Sequence, residues 1–136
     1  MRTLPDIRAP AIRGLRSLLE DRTEPYTAGV VVGHEIPAGA TPEDRLLPYV
    51  LIAVDDVEPW RYPAAARGLV RLTAWATTED DAHDLAVLAQ ALLADHHDTV
   101  IRHLAPTGGL VHAHDSETDI PVCSALLRAT CHTTLI

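Results

Sequence analysis

Residues 68–97 read GLVRLTAWATTEDDAHDLAVLAQALLADHH, and two periods meet inside them. Val70, Leu72, Ala74 and Ala76 fall on one side of an alternating run, with Arg71, Thr73 and Trp75 on the other. A period of two marks a strand with one face buried. Beyond Thr77 the period lengthens. Ala82, Leu85, Ala86, Ala89, Leu92, Leu93 and His96 recur at helical spacing, with Glu79, Asp81, Asp84, Gln90 and Asp95 largely between them. Thr78 is placed to cap that helix, and acids in its first turn suit the positive end of the helix dipole. The stretch predicts a strand, a short capped turn and an amphipathic helix that carries His96 and His97 at its end.

Towards the N-terminus, Ile7, Ala11, Leu15, Leu18 and Leu19 form an apolar stripe that predicts a first helix over residues 4–20. Pro10 is tolerated only near a first turn, which allows a start as late as Ala9. GVVVGH at 29–34 is a short β-rich run. The segment from His34 to Pro48, with Pro37, Pro42 and Gly39, reads as a long loop, and loops of that length inside a compact domain usually have a function. YVLIAV at 49–54 is apolar on both faces, as a central strand is. DDVEPWRYPAAAR at 55–67 reads as a second irregular connection. After the second helix, Thr99–Leu104 is a short apolar segment and Pro106–Gly109 a turn. LVHAH at 110–114 alternates as a strand, and 115–121 is a polar loop. Residues 122–135 predict a long last strand, with Leu127, Ala129 and Cys131 on one side and Leu126, Arg128, Thr130 and His132 on the other. The order α-β-β-β-α-β-β predicts one α+β domain over residues 1–136, a mostly antiparallel sheet with two helices packed on it.

A chain of 136 residues can bury one sizeable core. No apolar run approaches the roughly 18 residues of a membrane span. MRTLPDIRAP lacks the apolar core of a signal peptide, so assembly in the cytoplasm is expected. The chain has eleven arginines, no lysine and a net charge of −8. That balance argues against gripping nucleic acid through its phosphates and suits a surface that repels DNA. Cys123 and Cys131, on one extended strand, would lie about 26 Å apart at about 3.3 Å per residue. A disulfide needs them within about 7 Å, so they are expected as free, small apolar side chains.

Eight histidines raise the question of a metal. His112 and His114 share a strand face, with Asp115 next to them. His83, His96 and His97 belong to the predicted helix and His132 to the last strand. Zinc uses such ligands, but there is no HExxH or CxxC, and His83 and His97 are about four turns apart. The expectation is no metal site. The adjacent acids Glu43–Asp44, Asp55–Asp56 and Glu79–Asp80–Asp81 read as solvated loops or a helix start rather than acid–base pairs. No serine lies in a nucleophile elbow. Cys131 and His132, adjacent on a strand, point to opposite faces. Neither an enzyme nor a cofactor is expected. Trp60, Arg61 and Tyr62 are of the types enriched at interface anchors; the other reading is a loop folded over the domain's own core. Leu46, Leu47 and Arg67 complete the candidate contact surface.

The N-terminal helix, PYVLIAV at 48–54, ARGLVRLTAWATTEDDAHDLAVLAQAL at 66–92 and a last strand preceded by DSETDIP at 115–121 together give the chain a resemblance. It resembles the tail terminator (tail completion, or minor tail) proteins of long-tailed phages of the lambda type. It is most similar to the versions from actinobacterial phages, through Arg71, Trp75 and the Thr/acidic cap of the Ala/Leu helix. The resemblance implies a non-enzymatic virion protein of the tail neck. Such a protein forms a ring with itself, usually a hexamer, on the last ring of major tail tube protein. There it stops tube growth and meets the head–tail connector or stopper, and genomic DNA passes through without tight binding. Two alternatives stay open: a head–tail stopper or tube subunit of related fold, and a small cytosolic metal-binding enzyme using the histidines. A tube subunit would polymerise on itself without limit, and a metalloenzyme would carry metal when purified without a histidine tag.

Overall fold

The structure, a computed structural model, describes residues 1–35 and 47–135. Its elements are β1 (Arg2–Thr3), α1 (Arg8–Glu20), a single 3-10 turn (Pro25–Thr27), β2 (Val31–Gly33), β3 (Tyr49–Trp60), β4 (Ala65–Trp75), α2 (Glu79–Ala94), β5 (Ile101–His114), β6 (Pro121–His132) and β7 (Thr134–Leu135). Five strands form one sheet in the order β2-β3-β4-β6-β5. Only β2 and β3 run parallel in it; the remaining neighbours are antiparallel. β1 and β7 pair separately. The expected α+β class and the order of its main elements hold.

Local chemistry sets the helix starts. Asp6 Oδ1 accepts the amide hydrogens of Arg8 and Ala9, at 3.0 and 3.4 Å. The helix therefore begins at Arg8, and Pro10 falls in its first turn, where a missing N–H leaves no gap. Thr78 caps α2 through its hydroxyl, 3.1 Å from the Asp81 amide. The far end of α2 corrects the sequence reading, because the helix stops at Ala94 and leaves His96 and His97 outside it. Asp98 Oδ1 takes the amides of Val100 and Ile101, both at 2.7 Å. Side-chain bonding of that kind competes with further helix and turns the chain into β5.

Three connections also differ from expectation. Residues 55–67 are no irregular loop but the outer half of a hairpin, its register running unbroken from Glu58↔Arg67 to Trp60↔Ala65. On the β3 side, residues 55–60 are mostly exposed and lack the buried alternation by which a strand is recognised, although Ala65 and Ala66 opposite them are buried. A bulge between Asp55 and Glu58 interrupts the ladder. The expected turn at Pro106–Gly109 is likewise a bulge, between Thr107 and Val111, in one continuous strand. Gly108 has φ +67°, a conformation costly for other residues, and Pro106 is tolerated because β5 is the sheet edge. The expected last strand breaks at Thr133, which is buried and whose hydroxyl donates to the Pro63 carbonyl.

Both helices pack on one face of the sheet. Leu15, Ile52, Leu72, Leu85, Leu93 and Leu127 are fully buried there, each contributing about 1.5–3 kcal/mol by leaving water. Val70, Leu72 and Ala74 of β4 and the alternate residues Cys123 to Cys131 of β6 supply the floor, as their periodicity predicts. The other face carries a small cluster at one end, where Tyr49 and Trp75 meet edge to face at 6.2 Å beside Ile120. Further along it lie polar groups: Thr73 bonded to Ser124 at 2.9 Å, and Arg71 facing Asp55 at 3.7 Å. No helix among the described residues is long and apolar enough to cross a membrane.

Candidate functional site

The β3–β4 hairpin carries Trp60, Arg61, Tyr62 and Arg67 at its outer end. The turn closes where the Ala64 amide donates to the Arg61 carbonyl at 3.1 Å, with Arg61 at φ +50°. Trp60 is 37% exposed and Tyr62 55%. The Trp60 ring has the Arg67 guanidinium over it at 4.1 Å from its centre and that of Arg61 at 5.5 Å. Arg67 Nε also donates to Glu58 Oε1 at 2.6 Å. The Tyr62 hydroxyl donates to the Arg2 carbonyl at 2.9 Å. Neither aromatic residue folds over the main core, and both are held by polar contacts within their own chain. Leu47 lies elsewhere, half-buried against the Tyr49–Trp75–Ile120 cluster. Leu46, with Glu43 and Asp44, lies outside the described residues.

A second constellation lies where α2 crosses the β5–β6 hairpin. Glu79, His83 and Gln90 are four and seven residues apart, so they form one stripe along the helix. All three reach the sheet. Glu79 Oε1 is 2.9 Å from His114 Nε2, His83 Nδ1 is 2.9 Å from His112 Nε2, and Gln90 donates to the Leu126 carbonyl at 2.9 Å. The His83 and His112 rings stack, with centres 5.2 Å apart and planes within 12°. The Glu79 carboxylate and the Asp119 carbonyl raise the His114 pKa above the usual imidazole value. Cys123 is the register partner of His112 and is fully buried. Burial pushes its thiol pKa up. One donor atom from each of His83, His112 and Cys123 lies within 4.8 Å of the other two. A cleft of about 260 Å³ opens alongside, lined in part by Glu79, His112 and His114.

The sequence reading expected no metal and did not assemble this trio. His83 and His112 are brought together only when α2 is laid on the sheet. A partial signal was present: His112 and Cys123 flank the 115–121 turn, and a hairpin about that turn sets them opposite one another. Comparison with protein-family models and with curated proteins finds no match.

Proposed function

We propose that the chain is a tail terminator of a long-tailed phage, a non-enzymatic virion protein. It closes into a homo-oligomeric ring, a hexamer, on the head-proximal end of the tail tube. It stops tube growth and presents a surface to the head connector. The observation that supports this reading is the closed end of the β3–β4 hairpin, where Trp60 and Tyr62 are exposed on a turn held by ladder and side-chain bonds. Large aromatics exposed at an ordered hairpin turn fit a docking role, since each buries about 150–250 Å² when covered by a neighbour. This turn meets a different surface on the adjacent copy, a heterologous contact that closes into a ring when the rotation permits. The net charge of −8 keeps passing DNA from adhering.

The test is made in the phage that encodes the chain. Deleting the gene gives tubes of uncontrolled length that carry no heads, and supplying the protein restores defined, joined tails. Tails of normal length without the gene would overturn the reading. Trp60→Ala with Tyr62→Ala, folded by circular dichroism, restores length control and head joining poorly. Full rescue by that variant would remove the hairpin turn from the interface and leave the terminator role standing.

A further inference from the structure

We propose that His83, His112 and Cys123 form a zinc-class metal site that fastens α2 to the edge of the sheet. Three donors from three elements converge: a helix, the edge strand and its neighbour. A hydrogen bond between two imidazoles accounts for the histidine pair alone. It does not account for a thiol directly across the ladder from one of them, on the same face. Two imidazole nitrogens and one thiolate are a donor set that borderline divalent ions prefer over the hard ions calcium and magnesium. Tetrahedral zinc, with Zn–N near 2.0 Å and Zn–S near 2.3 Å, holds its ligands about 3.3–3.6 Å apart. Donor atoms already within 4.8 Å reach that separation by side-chain movements of about 1 Å.

Exposure across the trio is graded. Cys123 is buried, His83 is half-buried and His112 is exposed. An ion would therefore enter from the solvent side and meet the thiol at the bottom. On coordination the Cys123 S–H proton leaves to solvent and the sulfur lone pair takes its place on the metal. The fourth position takes water. Glu79 and His114, one row further along the same two elements, are bonded to each other. The metal would cross-link α2 to the exposed half of β5, an edge strand already weakened by a bulge. This inference is independent of the tail reading.

The probe is cobalt(II), added to full-length protein purified without a histidine tag, stripped with chelator and kept reduced. One equivalent is expected to give tetrahedral visible bands and a thiolate-to-cobalt charge-transfer band, both removed by zinc. Zinc is expected to raise the melting temperature. His83→Gln and His112→Gln are expected to weaken cobalt binding by at least about tenfold. His103→Gln, elsewhere on β5, is expected to leave it unchanged. Cys123→Ala removes the charge-transfer band; if that variant does not fold, the two histidine variants decide. No charge-transfer band at one equivalent, or unchanged affinity in both histidine variants, would overturn the site.

Discussion

Arg67 covers the ring of Trp60 from the neighbouring strand, its guanidinium 4.1 Å from the ring centre. Trp60 pairs with Ala65, so Arg67 is its diagonal neighbour two residues along β4. The same side chain bonds Glu58, its direct ladder partner, at 2.6 Å. A planar guanidinium serves both contacts together, whereas a lysine ammonium is a single point charge. Arg67→Ala is expected to cost about 0.5–1 kcal/mol, a modest figure because the site is half exposed. Arg67→Lys should recover only part of it. Urea unfolding measures the loss, and a red shift of tryptophan emission reports the uncovered ring. An unchanged midpoint and spectrum would show that the hairpin end does not depend on this contact.

Gly14 on α1 faces His96, which lies just past the end of α2. A methyl group on Gly14 would lie 2.6 Å from two atoms of the imidazole, which is itself tied to Asp98 at 2.8 Å. Alanine in a helix is ordinarily worth about 1 kcal/mol over glycine. Overpacking a held ring costs about 1–3 kcal/mol. Gly14→Ala is therefore expected to destabilise the fold by about 1 kcal/mol net. Adding His96→Ala should convert the same change into a gain relative to His96→Ala alone. A double-mutant cycle by chemical denaturation checks both signs.

Asp98 anchors the exit from α2. Burial pushes its pKa up, but the Ile101 amide, His96 and the Val100 amide outweigh this and hold its carboxyl below the usual value. A carboxyl whose folded pKa is depressed stabilises the fold fully above the unfolded pKa. It loses that contribution as pH falls through the folded value, so the loss lies below about pH 4. Asp98→Asn keeps the shape and removes the charge. Its unfolding free energy should fall by about 1–2 kcal/mol at neutral pH and lose part of the acid-limb slope. Equal slopes in the two proteins would assign the acid sensitivity elsewhere.

Cys123 and Cys131 are both fully buried and free. Burial, with the nearby charge of Asp98, pushes the Cys131 thiol up to about 11. A thiol attacks as thiolate, and at pH 8 such a group holds about one part in a thousand in that form. Native, metal-free protein should react with Ellman's reagent far more slowly than protein in urea, where both thiols react. Rapid labelling of one thiol under native conditions would show that β6 opens locally.

The sequence by itself determined the strand–helix unit at 68–97, the Thr78 cap and the alternation of β6. These rest on local period and on capping, which neighbouring residues settle among themselves. It also pointed to Trp60, Arg61, Tyr62 and Arg67, whose residue types carry meaning wherever they stand. It did not show that residues 55–60 continue a strand or that Pro106–Gly109 lies inside one. Both stretches lie at the margins of the core, where ladder bonding holds the backbone without burying alternate side chains. Nor did it unite His83 with His112 and Cys123. Their spacing along the chain has no period, and only the laying of α2 across the β5–β6 hairpin turns three separate residues into neighbours.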